Sequence, residues 1–177
     1  MSAGEREAYR VLVDRYSALA HRTAVLLGAG SDADDVVQEA FVKAFQALPR
    51  FRTGEPFRPW LVRIVVNETH NTRRGRRRAR LTLERAAPRY DPPVGADEPV
   101  ERALSGERRA VLLAGLAALR SADREVLTCR YLLDLSEAET ASALSMPRGT
   151  VKSRTARALD RLRAVLGEPA PVEVSDA

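Results

Sequence analysis

The sequence predicts an all-α fold: two small helical domains joined by a flexible linker, the second containing a helix-turn-helix. Three observations predict it. Apolar residues recur at the 3.6-residue period along most of the chain, and no run alternates apolar and polar long enough for a strand. Between Leu81 and Pro99 that period is lost in a stretch rich in Pro and acidic residues, AAPRYDPPVGADEP. Finally, Ser136–Leu166 reads as two helices with a tight turn between them. The 177 residues suffice for one domain or two small ones, and the few aromatics (5%) favour small bundles over a large sheet.

Charge and cysteine content narrow the class. The net charge is +5 and the pI about 10.0, which suits a polyanionic partner. A single Cys excludes an internal disulfide and a cysteine-rich zinc site, and Cys129 lies on an apolar helix where a core position is expected. Charges begin at Glu5 and no apolar run is long enough for a signal peptide or a span, so a cytoplasmic chain without membrane insertion is expected.

In chain order, a first helix is predicted from about Glu5 to Leu27, with Tyr9, Leu12, Tyr16, Leu19, Ala20 and Thr23 inward and Gly28 ending it. Ser31 is expected to cap a second helix whose first turn carries Asp32, Asp34 and Asp35, favoured there by the helix dipole. Val37, Ala40, Phe41, Ala44, Phe45 and Leu48 make its inward face. Asp35, Glu39, Val42 and Gln46 make the outer one, with Gln38 at the border. Helix-start electrostatics accounts for the acidic cluster, and a metal site is not expected.

Pro49 ends the second helix. An aromatic-flanked loop, Phe51 to Phe57, leads into a third helix opened by Pro59. Arg63, Asn67, His70, Asn71 and Arg74 share one side of that helix, with Trp60 at its edge. These side chains can hold phosphates, hydrogen-bond base edges and stack an unpaired base. A solvated helix face with Trp60 in the core fits the same spacing. Six of the eight residues from Arg73 to Arg80 are Arg, a block that repels itself unless a polyanion is present.

The linker's roughly twenty residues can reach at most about 60–70 Å, comparable to about twenty base pairs of duplex. Helical patterning resumes at Glu101, and Ser121 is expected to cap a helix bearing Val126, Leu127, Tyr131 and Leu132. Ser136 and Glu139 form a capping box. The last helix turns Val151, Thr155, Ala158, Leu159, Leu162, Val165 and Leu166 inward, and Lys152, Ser153, Ala156 and Arg157 outward. A cationic helix so presented fits a major groove.

Taken together, these motifs resemble a bacterial RNA polymerase sigma factor of the extracytoplasmic-function (ECF) type. The residues that carry the resemblance are Asp34–Phe41 (DDVVQEAF), Phe51–Gly54 followed by Trp60–Ile64 and Asn67, and Gly149–Arg154 (GTVKSR). The resemblance implies a transcription initiation factor with no catalytic group, cofactor or metal of its own. Its domains would be 1–78 for polymerase docking and the −10 element, a linker at 79–100, 101–167 for the −35 element, and a disordered tail at 168–177. By the same resemblance Asp35, Gln38, Glu39 and Val42 would meet the β′ clamp helices of core RNA polymerase, whose β flap would take the second domain. Phe51, Arg52, Thr53, Trp60, Arg63, Asn67, His70, Asn71 and Arg74 would bind the −10 element, the loop cupping a flipped base. Arg148, Thr150, Lys152, Ser153, Arg154 and Arg157 would bind the −35 element. An anti-sigma protein is an implied partner. Asn71 stands where the family often has Asp, and Ser145 where Gly is usual.

Two other readings compete. A helix-turn-helix activator or repressor would act without core polymerase, but no separate dimerisation or effector domain is visible. A nucleic-acid enzyme would hold a metal on Asp32, Asp34, Asp35 and Glu39.

Overall fold

Helix α1 (Ala3–Leu26) stops where predicted. Gly28 adopts φ +87°, a left-handed conformation that glycine enters without Cβ strain. The computed structural model describes residues 3–52, 54–83 and 101–167, with side chains from 7 to 79 (Thr53 excepted) and from 106 to 167. The chain order continues with α2 (Ala33–Ala47), α3 (Phe57–Leu83), α4 (Glu101–Ala118), α5 (Ser121–Leu127), α6 (Glu137–Ala143) and α7 (Arg148–Leu166). No strand occurs among the described residues.

Helices α1, α2 and α3 pack around Ala20, Ala24, Ala40, Phe41, Ala44, Leu61 and Val65. Small alanines at the crossings let the helix axes approach closely, and the larger rings fill one end. There Tyr16, Phe51, Phe57 and Trp60 form a chain of tilted and edge-on contacts with centroids 4.9–5.8 Å apart, the arrangement aromatic quadrupoles prefer. Around α7, a second cluster gathers Leu116 of α4, Leu119 just after it, Val126 and Leu127 of α5, and Val151, Ala158 and Leu162. Gly115 sits where α4 crosses α7. A Cβ there would lie 2.8 Å from a Leu166 methyl, so this crossing requires glycine or a shift of that side chain.

Several local expectations are corrected. Ser31 does not cap α2; it lies in a 3₁₀ turn (Gly30–Asp32), and its hydroxyl accepts from Arg76 Nη2 at 2.6 Å. Ser121 is the first residue of α5 rather than its cap, and its Oγ accepts from Arg73. Both hydroxyls are used by arginines of α3, which a local cap rule cannot foresee. Tyr131 is exposed rather than inward, because Thr128–Leu132 form a single π-helical turn that shifts the helical phase. Val165 is also exposed; Leu162 and Leu166 make the contact with α4 instead. Helix α3 runs to Leu83, past the expected boundary at 78, since Arg and Leu are good helix formers and the first proline comes only at Pro88. Residues 84–100 and 168–177, expected as linker and tail, lie outside the described residues.

The capping box is present: Glu139 N–H donates to Ser136 Oγ at 3.2 Å, and Ser136 N–H to Glu139 Oε2 at 2.9 Å. Those bonds hold the Glu139 carboxyl below its ordinary value. Ser136→Ala is expected to lower the unfolding free energy by about 1 kcal/mol in urea titration. In the turn after α6, Ser145 takes φ +51°, the left-handed backbone that suits a glycine.

The two helical groups are packed against each other. Leu61 and Val65 point into the first cluster, while Val62 and Val66, one position on, are buried in a third with Leu27, Cys129, Leu133, Leu135 and Ala143. Helix α3 thus has two apolar stripes, and the second is covered by the π-helical turn and α6. Polar contacts edge this seam. His70 Nε2 lies 2.7 Å from Glu125 Oε1, Arg73 donates to Ser121 Oγ and to the Leu27 carbonyl, and Arg58 donates to the Leu133 carbonyl.

Candidate docking and nucleic-acid surfaces

Helix α2 presents Asp35, Gln38, Glu39 and Val42 together on its exposed side. Val42 is 44% exposed. Beside it a shallow groove of about 470 Å³ opens between α1 and α2, floored by Tyr9, Val13, Val37, Phe41 and Phe45 and rimmed by Gln38 and Val42. Tyr9 closes one side: its hydroxyl donates to the Phe41 carbonyl, and burial pushes its pKa up to about 12. An apolar floor with an acidic and amide rim suits a protein helix carrying apolar and basic side chains. Asp34 stands at the rim of this groove, whereas Asp32 does not line it. Asp32 is paired with Arg76, and Asp34 lies 3.4 Å from His21 of α1. No group of three or more metal-ligating side chains is assembled among the described residues.

On α3, Asn67, Asn71 and Arg74 are exposed, and Arg63 and His70 half-buried, along one helical side. Arg52 projects from the loop before α3, and Thr53 lies outside the described residues. Trp60 is corrected. It is only 9% exposed, wedged against Phe51 and Phe57, so it is a core residue that supports the loop. Phe51 is half-buried in the same cluster. His70 has a role that periodicity did not show, since its ring is engaged with Glu125 across the seam.

On α7, Arg148, Lys152, Ser153 and Arg157 are exposed, with Thr150 and Arg154 half-buried beside them. Ser153 Oγ bonds back to the Thr150 carbonyl, and Arg157 Nε to the Ser153 carbonyl, which keeps both side chains close to the helix. Arg161 turns away to Asp123, where it neutralises a buried carboxylate.

These surfaces coincide with the blocks matched in other proteins. Residues 12–79 match the family described as Sigma-70 region 2, and residues 115–164 match Sigma-70, region 4. The chain belongs to the sigma-70 family and is of the ECF type. It is 34% identical over 168 residues to the ECF RNA polymerase sigma-E factor of Escherichia coli (strain K12), covering 90% of this chain and 86% of that one. It is 35% identical over 166 residues to the RNA polymerase sigma factor NccH of Alcaligenes xylosoxydans xylosoxydans, covering 92% and 89%. Among solved structures it resembles CnrH in complex with the cytosolic domain of CnrY, with a TM-score of 0.66 and 31% identity over 92% of this chain and 89% of that one. It shares its fold with the sigma factor RpoE of Bartonella quintana, solved with the anti-sigma factor NepR, at TM-score 0.75 and 22% identity over 91% and 98%. The chain is therefore a sigma factor that directs RNA polymerase to promoters.

Arg58 and Glu125 of the seam escaped the sequence reading, and so did the 2.6 Å ion pair between Lys43 of α2 and Glu68 of α3. The signal for the seam was present in Trp60–Val66, WLVRIVV, which is apolar on two sides of a helix and so calls for two neighbours. For Glu68 the signal was an acidic side chain on an otherwise cationic and amide-bearing helix.

Proposed function

We propose that Asp35, Gln38, Glu39 and Val42 dock this sigma factor on the β′ clamp helices of core polymerase. Arg63, Asn67, His70, Asn71 and Arg74, with the loop at Phe51–Phe57, hold and open the −10 element. Arg148, Thr150, Lys152, Ser153, Arg154 and Arg157 anchor the −35 element, Arg154 on phosphate. The observation that carries the reading is that α2 exposes a mixed apolar and acidic face while α3, packed against it, exposes a cationic and amide face. Docking and strand opening thus sit on one rigid three-helix unit. The factor works by binding energy, and phosphoryl transfer belongs to the polymerase. Flipping a base costs a few kcal/mol, which stacking and hydrogen bonds in a pocket return.

Two sites about two helical turns apart lie roughly 70 Å apart along the duplex. A molecule with α6 seated on α3 cannot hold both, so the seam parts when promoter is bound. His70 then exchanges Glu125 for the DNA strand. No helix among the described residues is long and apolar enough to cross a membrane, in keeping with action on DNA in the cytoplasm. CnrH, the 31%-identical relative, was solved with the cytosolic domain of a second protein, CnrY. A protein antagonist of the anti-sigma kind is proposed here too, seated on the α1–α2 groove where it would exclude polymerase.

The test is a defined transcript from purified core polymerase, this chain and a promoter from its own operon. Failure to form a complex with core, or to initiate at any promoter tested, would sink the reading. Gln38→Ala is expected to weaken core binding while leaving opening by saturated complex intact. Asn67→Ala should leave core affinity unchanged and slow opening by about tenfold, the value of one good base-edge contact. Equal effects of both on core affinity would contradict the assignment.

A further inference from the structure

Glu68 is 7% exposed, a carboxylate on the first domain's α3 that faces α2 rather than the seam. A buried carboxylate is tolerated only when paired and hydrogen-bonded, and both of its oxygens are in use. Lys43 of α2 donates to Oε2 at 2.6 Å, and Asn71 Nδ2 donates to Oε1 at 3.3 Å. The chain of contacts continues outward, for Asn71 Oδ1 accepts from Arg74 Nη2 at 2.7 Å. Inward it reaches the docking face, since Lys43 also lies 3.5 Å from Glu39 Oε1. The Glu68 bond holds the Lys43 ammonium above its ordinary pKa.

Polarity gives this chain a direction. An asparagine amide can present either end, and what it faces decides which. The Glu68 carboxylate takes only a donor, so it fixes Nδ2 toward itself and leaves Oδ1 facing Arg74. A flipped amide would set an oxygen against the carboxylate and NH₂ against the guanidinium, losing both bonds. The charge of Glu68 thereby decides where the Arg74 guanidinium is held, two turns of α3 from Asn67.

We propose that Glu68 is a positioning residue for promoter opening: balanced by Lys43 of the docking helix, it orients Asn71, which in turn aims Arg74 at the DNA strand. This rests on the docking and strand-holding roles proposed above. It adds a physical link between them, because Lys43 is shared by Glu39 and Glu68. A polymerase cation that takes Glu39 leaves Lys43 wholly to Glu68 and tightens the chain toward Arg74.

A plain structural ion pair between α2 and α3 would show much of the same geometry, so the experiment must separate the two. Glu68→Gln, Arg74→Ala, their double variant and the exchange Lys43→Glu/Glu68→Lys are compared for thermal midpoint, core affinity and rate of promoter opening. Glu68→Gln and Arg74→Ala should each slow opening by roughly tenfold or more, the value of one charge-assisted hydrogen bond. The double variant should be no slower than Arg74→Ala alone, because both act through one guanidinium. The exchange should restore the thermal midpoint, since the ion pair is rebuilt. It should not restore opening, since a lysine at 68 cannot accept from Asn71. Multiplicative effects in the double variant, or opening that recovers with the exchange, would overturn the proposal while wild-type protein still opens promoters normally. A wild-type protein that fails to dock or open would instead remove the reading beneath it.

Discussion

Trp60→Ala is expected to destabilise the first helical domain by about 3–5 kcal/mol, the cost of deleting a large buried aromatic and leaving a cavity. The indole lies between Phe51 and Phe57 at centroid distances of 4.9 and 5.2 Å, and Phe57 leans in turn on Tyr16 of α1. Its loss would loosen the α1–α3 contact and the start of the loop together. Urea titration followed by helical circular dichroism reads the effect directly. Trp60 is the chain's one tryptophan, so its emission gives an independent check. Native protein should emit as a buried indole, and adding a single-stranded −10 oligonucleotide should leave that emission nearly unchanged. A base-stacking role would give the opposite pair of results: near-normal stability in Trp60→Ala, and strong quenching on oligonucleotide binding.

That residue also marks where sequence reading reaches its limit. Periodicity placed Trp60 at the border between an apolar and a polar side of α3, and a border position does not say which neighbour arrives. The answer depended on the loop, which folds Phe51 and Phe57 back over the ring. Features governed by residues three or four apart were legible in advance: the Ser136–Glu139 capping box, the left-handed Gly28 after α1, and the exposed Lys152, Ser153 and Arg157 of α7. The expected caps at Ser31 and Ser121 were not, because arginines more than forty positions away take both hydroxyls. The candidate surfaces divide in the same way. Glu39 and Val42 could be placed by helical phase alone, whereas Glu68 acquires meaning only from Lys43 on another helix. The linker reading described two domains on a tether, and it could not disclose that Val62 and Val66 find partners in the second domain.

Val66→Asp is expected to part the two domains without unfolding either. Val66 is 4% exposed within the cluster that holds Cys129, Leu133, Leu135 and Ala143, on the side of α3 that does not face the three-helix core. An unpaired carboxylate placed there costs several kcal/mol if it stays buried. Separation of the seam re-hydrates it and spares Leu61 and Val65 in the first core. A compact chain of this length has a radius of gyration near about 16 Å, and small-angle scattering of the variant should rise well above that value. Cys129 supplies the second readout. Its thiol is fully buried, and burial lifts its pKa to about 12, so at pH 8 it stays protonated and closed to a thiol reagent, whose partner is the thiolate. Once the seam opens, the thiol should move toward its ordinary range and become modifiable while helical content stays constant. Transcription with core polymerase should persist in the variant, since the promoter-bound arrangement proposed above has the seam open. An unchanged radius together with an inert Cys129 would mean that His70–Glu125, Arg73–Ser121 and Arg58–Leu133 hold the domains without the Val62–Val66 stripe. The polar rim would then be the part of the seam that polymerase has to break.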